Sequence, residues 1–142
     1  MKKILFLCTG NTCRSPMAQA IAGAWIKEHK LNLSADSAGL AAYPGSPASE
    51  NAIAVMRERG LDLSAFRSKQ ATEELLKTAD SVYAMTPEHC LAAQAWFPGS
   101  AKKIKPLSSV PVADPYGKDM AAYRKAADDI EKAIQKILGE IQ

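Results

Sequence analysis

Cys8-Thr9-Gly10-Asn11-Thr12-Cys13-Arg14-Ser15-Pro16 follows the apolar run Ile4-Leu5-Phe6-Leu7 with no intervening linker. A cysteine thus stands where a buried strand ends. Gly10 allows the chain to turn tightly, and Ser15-Pro16 has the cap and first-turn proline that open a helix. A strand, a short loop and a helix N-terminus together form an anion site. The amides of Thr9, Gly10, Asn11, Thr12 and Cys13 can point inward at one oxyanion. The helix dipole adds about half a positive charge, and Arg14 can hold two oxygens at once. The same field acts on Cys8: a free thiol titrates at about 8.5, and beside helix N-termini or cations values of roughly 3.5 to 7.5 occur. Cys8 is therefore expected to be a thiolate at neutral pH, and nucleophile and phosphate cradle are one object. Cys-x5-Arg alone is a weak signal, because a cysteine ending a buried strand is often only a small hydrophobe. Its position between strand and helix is what points to phosphoryl chemistry.

Attack by a thiolate on phosphorus needs a proton for the leaving atom. Asp114 is the candidate general acid, in the proline-rich segment Ser108 to Gly117, where Pro115 keeps it out of the helical region. By itself an aspartate before proline is more often a turn former. Its carboxylate could then deprotonate the water that hydrolyses a phosphocysteine. No metal or other cofactor is required, and the equatorial phosphoryl oxygens are left to Arg14 and the loop amides.

The elements that must position these residues alternate in period, which predicts an α/β fold: a three-layer sandwich with a four-stranded parallel sheet and helices on both faces. The pattern predicts strands at Ile4–Leu7, Leu31–Ala38, Ser81–Met85 and Lys103–Leu107. It predicts helices over Ser15–Lys30, from Ser46-Pro47 to Gly60, over Thr72–Ala79, from Thr86-Pro87 to near Pro98-Gly99, and from Asp119 to the end. Met17, Ala20, Ile21, Ala24 and Trp25 read as one core stripe, and Tyr123, Ala127, Ile130, Ile134, Ile137 and Ile141 as another. In open parallel sheets ligands sit beyond the carboxyl ends of the strands, so the Cys8 loop and the loops after strands two and four can converge.

At 142 residues, 47% hydrophobic, the chain is expected to be one domain, residues 1–142. A net charge of +3, with cations spread among acids, gives no nucleic-acid footprint. No apolar stretch approaches a membrane span or a signal peptide, which predicts a cytoplasmic protein, expected as a monomer. Cys8, Cys13 and Cys90 are an odd number in a chain without an export signal, so structural disulfides are not expected. Cys13 could resolve an oxidised Cys8 as a disulfide, or be a buried small residue under the loop. His29 and His89 fall near helix surfaces or ends and form no zinc-ligand spacing with the cysteines.

The loop sequence at the extreme N-terminus, with Asp114-Pro115-Tyr116 about a hundred residues later, resembles the low-molecular-weight protein tyrosine phosphatase family. The similarity covers the whole chain, including Ser37-Ala38-Gly39 and the long last helix. It implies a protein phosphatase acting on phosphorylated proteins through a phosphocysteine. It also implies that Asn11 braces the loop through Ser37, that Ser15 hydrogen-bonds the Cys8 sulfur, and that Tyr116 walls the substrate pocket. Tyr43 is a further pocket candidate. Thr12 stands where tyrosine-specific members usually carry an aliphatic residue, and is most similar to the protein arginine phosphatase branch. Gly117 replaces the second tyrosine that often follows Asp-Pro-Tyr, which weakens an aromatic sandwich. Phosphoarginine is thus the favoured substrate and phosphotyrosine the alternative. An arsenate reductase would be expected to carry a further cysteine pair in mid-sequence, where Cys90 stands alone. A cysteine phosphoryl carrier would not need Arg14 and Asp114 together, and a mere phosphate-binding module would leave Asp114 unexplained.

Overall fold

The computed structural model describes residues 1–141. Gln142, and the side chain of Ile141 expected on the seam of the last helix, lie outside the described residues. The elements are β1 (Lys2–Cys8), α1 (Arg14–Glu28), β2 (Leu33–Gly39), α2 (Glu50–Glu58), α3 (Glu73–Thr78), β3 (Ser81–Ala84), α4 (Pro87–Trp96), β4 (Ile104–Pro106) and α5 (Met120–Ile141). A 3-10 turn, Pro98–Lys103, joins α4 to β4; sequence had anticipated only a helix end there.

All strand pairs are parallel, in the order β2-β1-β3-β4, so β1 is central and its neighbours are reached by connections that run to opposite sides. The carboxyl end of β1 is the switch point of such a sheet, where the chain leaves a crevice for a ligand. β1 is buried on both faces, and its side chains divide with period two. Ile4, Phe6 and Cys8 pack in the core shared with α1, α2 and α5. Leu5 and Leu7 pack in the core shared with α3 and α4.

Helix starts follow capping chemistry at three places. Ser49, Thr72 and Thr86 each accept a hydrogen bond from the amide three residues on, and Pro87 fills the first position of α4, where no amide hydrogen is needed. α1 does not start as expected. It begins at Arg14, its N-cap is Cys13 with no side-chain cap, and Ser15 lies inside the first turn. The Ser15 hydroxyl is instead engaged by Cys8 and Asn11. On α1 the fully buried apolar positions are Met17, Ala18 and Ala22, with Ile21 and Ile26 beside them; Ala20, Ala24 and Trp25 lie at the margin of the stripe. The α5 seam holds Tyr123, Ala127, Ile130 and Ile134 in the core, joined by Leu138, with Ile137 half-buried against it. Among the described residues no helix is long and apolar enough to cross a membrane.

Candidate active site

The loop from Cys8 to Cys13 closes over the end of β1 because its neighbours clamp its backbone. Leu40 N–H donates to Cys8 O (2.9 Å) and Ala41 N–H to Thr9 O (3.0 Å). Gly39, paired with Cys8 across the sheet, must be glycine: a Cβ there would lie 2.5 Å from the Thr9 carbonyl oxygen and 2.8 Å from Ala42 Cβ. The tight turn falls at Asn11 (φ 56°), and Gly10 has no positive φ. Asparagine tolerates the left-handed region because its side chain can hydrogen-bond locally. Here that side chain is fully buried and fully used. Asn11 Nδ2 donates to Ser15 Oγ (2.8 Å) and Ser37 Oγ (3.0 Å), while Oδ1 accepts from the Lys69 amide (2.9 Å). Ser37 Oγ passes the chain on to Gln19 Oε1 (2.6 Å). Lys69 belongs to a segment that sequence reading missed. It runs beside Gly39, whose amide donates to Lys69 O, and Ala71 N–H returns to Gly39 O.

Cys8 Sγ lies 2.8 Å from Ser15 Oγ and accepts from the Asn11 amide at 3.3 Å. Burial pushes the Cys8 thiol up from its ordinary value, and this is the largest influence. The Ser15 hydroxyl, the Ser15 and Asn11 amides and the Arg14 charge push it down. The donors and the helix dipole alone point the opposite way, and the burial reverses the net direction expected from the sequence.

Arg14 is buried. Its Nη1 donates to the Val112 carbonyl (2.9 Å), which fixes the guanidinium plane and ties α1 to the segment that carries Asp114. Asp114 Oδ2 lies 3.7 Å from Arg14 Nη2, and Oδ1 accepts from the Tyr116 amide (3.0 Å) in an Asx turn. The Asp114 side chain is 57% exposed, so it sits at the cleft mouth above a buried cation. Cys8, Thr9, Gly10, Thr12, Cys13, Arg14, Asp114 and Tyr116 line one cleft of about 340 Å³, together with Ala41, Tyr43 and Ser46. Asn11, Ser15 and Ser37 lie behind it, in the brace.

Cys13 S–H donates to Ser49 Oγ (3.5 Å), and its sulfur lies 3.4 Å from Tyr123 Oη. Burial first, then the hydrogen bond to Cys13, pushes the Tyr123 hydroxyl up to about 12. Sequence gave no role to His89, yet its Nε2 lies 2.7 Å from Thr9 Oγ1 and its Nδ1 2.8 Å from Thr86 Oγ1. The readable signal was the Thr86-Pro87 helix start, which sets the ring in the first turn of α4 at the carboxyl end of β3, beside β1.

A thiol at the floor of an amide loop, a guanidinium beside it and a carboxyl at the mouth is an arrangement for moving a phosphoryl-sized anion onto sulfur. The family model for low molecular weight phosphotyrosine protein phosphatase matches residues 3–142. A protein-arginine-phosphatase of Geobacillus stearothermophilus is 37% identical, with 99% of this chain and 96% of that one covered. An arsenate reductase of Staphylococcus epidermidis is 34% identical, with 94% and 93% covered. The crystal structure of a low molecular weight protein tyrosine phosphatase from T. tengcongensis superposes with a TM-score of 0.95 at 39% identity, covering 99% of each chain. With the family model matched over residues 3–142 and the fold in common with these proteins, the chain belongs to the low molecular weight phosphotyrosine protein phosphatase family.

Proposed function

We propose that this protein hydrolyses phosphoproteins, with phosphoarginine as the preferred phosphorylated residue, and that Cys8, Arg14 and Asp114 carry the reaction. The observation behind this reading is their convergence on one cleft whose floor is Cys8 and whose mouth is Asp114. The buried Cys8 thiol passes its proton to an oxygen of the entering phosphoryl dianion, and Sγ, then a thiolate, attacks phosphorus and forms the S–P bond as the bond to the leaving oxygen or nitrogen breaks. The leaving atom takes the bonding pair and a proton delivered by Asp114. Arg14 and the loop amides hold the three equatorial oxygens, where charge is spread in the transition state. A water then attacks the phosphocysteine, gives its proton to the Asp114 carboxylate, and the S–P electron pair returns to sulfur. Ser15, 2.8 Å from Sγ, stabilises that leaving thiolate. Release of inorganic phosphate from phosphoarginine protein, without added metal or thiol partner, tests the reading. Thiol-dependent reduction of arsenate with no phosphate release would replace it.

Thr12 favours phosphoarginine. It lines the cleft and is half-buried there, placing a hydroxyl where an isoleucine would place only bulk. A planar phosphoguanidinium has N–H donors that welcome such an acceptor, whereas a phosphotyrosine ring prefers an apolar slot. Thr12→Ile is expected to shift the ratio of kcat/KM for phosphoarginine over phosphotyrosine by at least about tenfold toward phosphotyrosine. Both substrates are assayed in one buffer near neutral pH, because phosphoarginine is acid-labile. A wild-type preference for phosphotyrosine with an unmoved ratio would return the tyrosine reading.

Cys13 supports a redox role. It shares the loop with Cys8, five residues away, and both thiols are free and buried. Peroxide oxidises Cys8 to a sulfenic acid, and Cys13 S–H then condenses with it, releasing water and forming the disulfide. Wild type is expected to lose activity to peroxide and regain it with dithiothreitol, whereas Cys13→Ser loses it for good. Peptide mass mapping should show the Cys8–Cys13 disulfide in the first protein. Equal recovery of both proteins would leave Cys13 a packing residue.

A further inference from the structure

We propose that His89 is a positioning residue for the anion loop: its neutral Nε2–H tautomer donates to Thr9 Oγ1 and turns the Thr9 hydroxyl proton toward the bound phosphoryl group. This role rests on the reading of the Cys8 loop as a site for a phosphoryl-sized anion. The ring has a partner at each nitrogen, Thr9 Oγ1 at 2.7 Å and Thr86 Oγ1 at 2.8 Å. Thr86 Oγ1 can pair with either tautomer, and the anion loop selects between them. Thr86 Oγ1 accepts from the His89 backbone amide at 3.1 Å as the N-cap of α4, so its own hydrogen is free to donate to Nδ1. With that bond made, Nε2 is the protonated nitrogen and donates to Thr9. With a lone pair occupied, the Thr9 hydroxyl points its hydrogen elsewhere, and Thr9 lines the cleft.

The reverse chain, with Nδ1 protonated, would make Thr9 donate to His89 and present only lone pairs to an anion. That arrangement would oppose the field of Arg14 and the loop amides. Two hydroxyls and one imidazole thus extend the donor set of the loop by a side chain from β1's neighbouring layer. Burial, and then the charge of Arg14 from α1, hold the His89 imidazole below its ordinary value; Glu88 on its own helix and Asp114 from the loop before α5 act against them. The ring is accordingly neutral at pH 7, as a two-partner relay with a single ring proton requires.

The test combines a double-mutant cycle with a direct reading of the ring. Thr9→Val and His89→Leu are each expected to lower kcat for an aryl phosphate by about fivefold, the weight of one net hydrogen bond, and to weaken inorganic phosphate binding measured by calorimetry. The double variant should be no worse than either single one, because both remove the same link. His89→Gln, whose side-chain amide nitrogen reaches the place of Nε2, should recover most of the loss. Imidazole nitrogen chemical shifts of wild type should show His89 protonated at Nε2 and bare at Nδ1. Additive losses, an unchanged kcat in His89→Leu, or a ring protonated at Nδ1 would overturn the proposal. Should His89→Leu not fold, His89→Gln and the wild-type spectrum still decide. If wild type releases no phosphate, the phosphatase reading falls, while phosphate affinity and the tautomer still read the positioning role.

Discussion

Cys8→Ser is expected to abolish phosphate release, a loss of at least about four orders of magnitude, while inorganic phosphate still binds within about threefold of wild type. The two halves of this expectation come from different atoms. Binding belongs to the loop amides, Arg14 and the brace behind them: the contacts of Sγ with Ser15 Oγ and the Asn11 amide pass to a serine oxygen, which can also accept, and Asn11 keeps Ser15, Ser37 and the Lys69 amide as partners. Chemistry belongs to Sγ alone. A serine hydroxyl in the same place is a far weaker nucleophile and has no base beside it, since Ser15 Oγ, its nearest polar neighbour, can only donate or accept a neutral hydrogen bond. Burial stays the same, because oxygen is smaller than sulfur and Cys8 is already covered. The measurements are steady-state phosphate release and calorimetry with inorganic phosphate on the same preparation. Residual turnover near wild type would remove Cys8 from the mechanism, and lost binding would mean that the sulfur shapes the loop itself.

The parts of this site that were legible in the sequence are those governed by local chemistry. Ile4 to Leu7 could be nothing but a buried strand, and Thr86-Pro87 could hardly avoid opening a helix. The loop between β1 and α1 was legible because strand, turn and helix start lie within nine residues. Where local signals competed, spacing alone points to the wrong partner, whereas the Ser15–Cys8 and Asn11–Ser37 contacts that the family resemblance implied are present. Ser15 resembled an N-cap, but a hydroxyl 2.8 Å from both Cys8 Sγ and Asn11 Nδ2 is held by contacts that only the closed loop creates. Gly10 resembled the turn residue, yet the left-handed position went to Asn11, whose buried amide satisfies three partners there. The net direction of the Cys8 thiol depends on burial, a property of packing that no spacing reveals. The contacts of the Lys69 amide and of His89 with the loop were hidden for a related reason, although the helix start that carries His89 was legible. Both groups reach the loop from 58 and 80 residues away, through a segment with no regular period and a histidine with no motif around it.

Asp114→Asn is expected to lower kcat by roughly two to four orders of magnitude and to leave KM nearly unchanged, the pattern of a lost general acid. The geometry sharpens this into a dependence on the leaving group. Asp114 is exposed at the mouth and reaches the site as a charge 3.7 Å from Arg14, so replacing it removes a proton donor and also a negative neighbour of the cation that grips phosphate. Loss of that neighbour does not weaken anion binding, and inorganic phosphate should bind the variant as tightly as wild type or tighter. The Asx turn survives, because an asparagine oxygen can accept from the Tyr116 amide as the carboxylate does at 3.0 Å. The loop therefore keeps its shape, and the change in rate reports the proton. A phosphorylated acidic phenol, whose oxygen leaves as a stable anion, should suffer least. A phosphorylated guanidinium, whose nitrogen cannot leave without a proton, should suffer most. Kinetics of Asp114→Asn over a series of phenyl phosphates of rising phenol basicity, with phosphoarginine at the end, should thus show a slope much steeper than that of wild type. Equal losses across the series would assign Asp114 to holding Arg14 in place, and another group would have to deliver the proton.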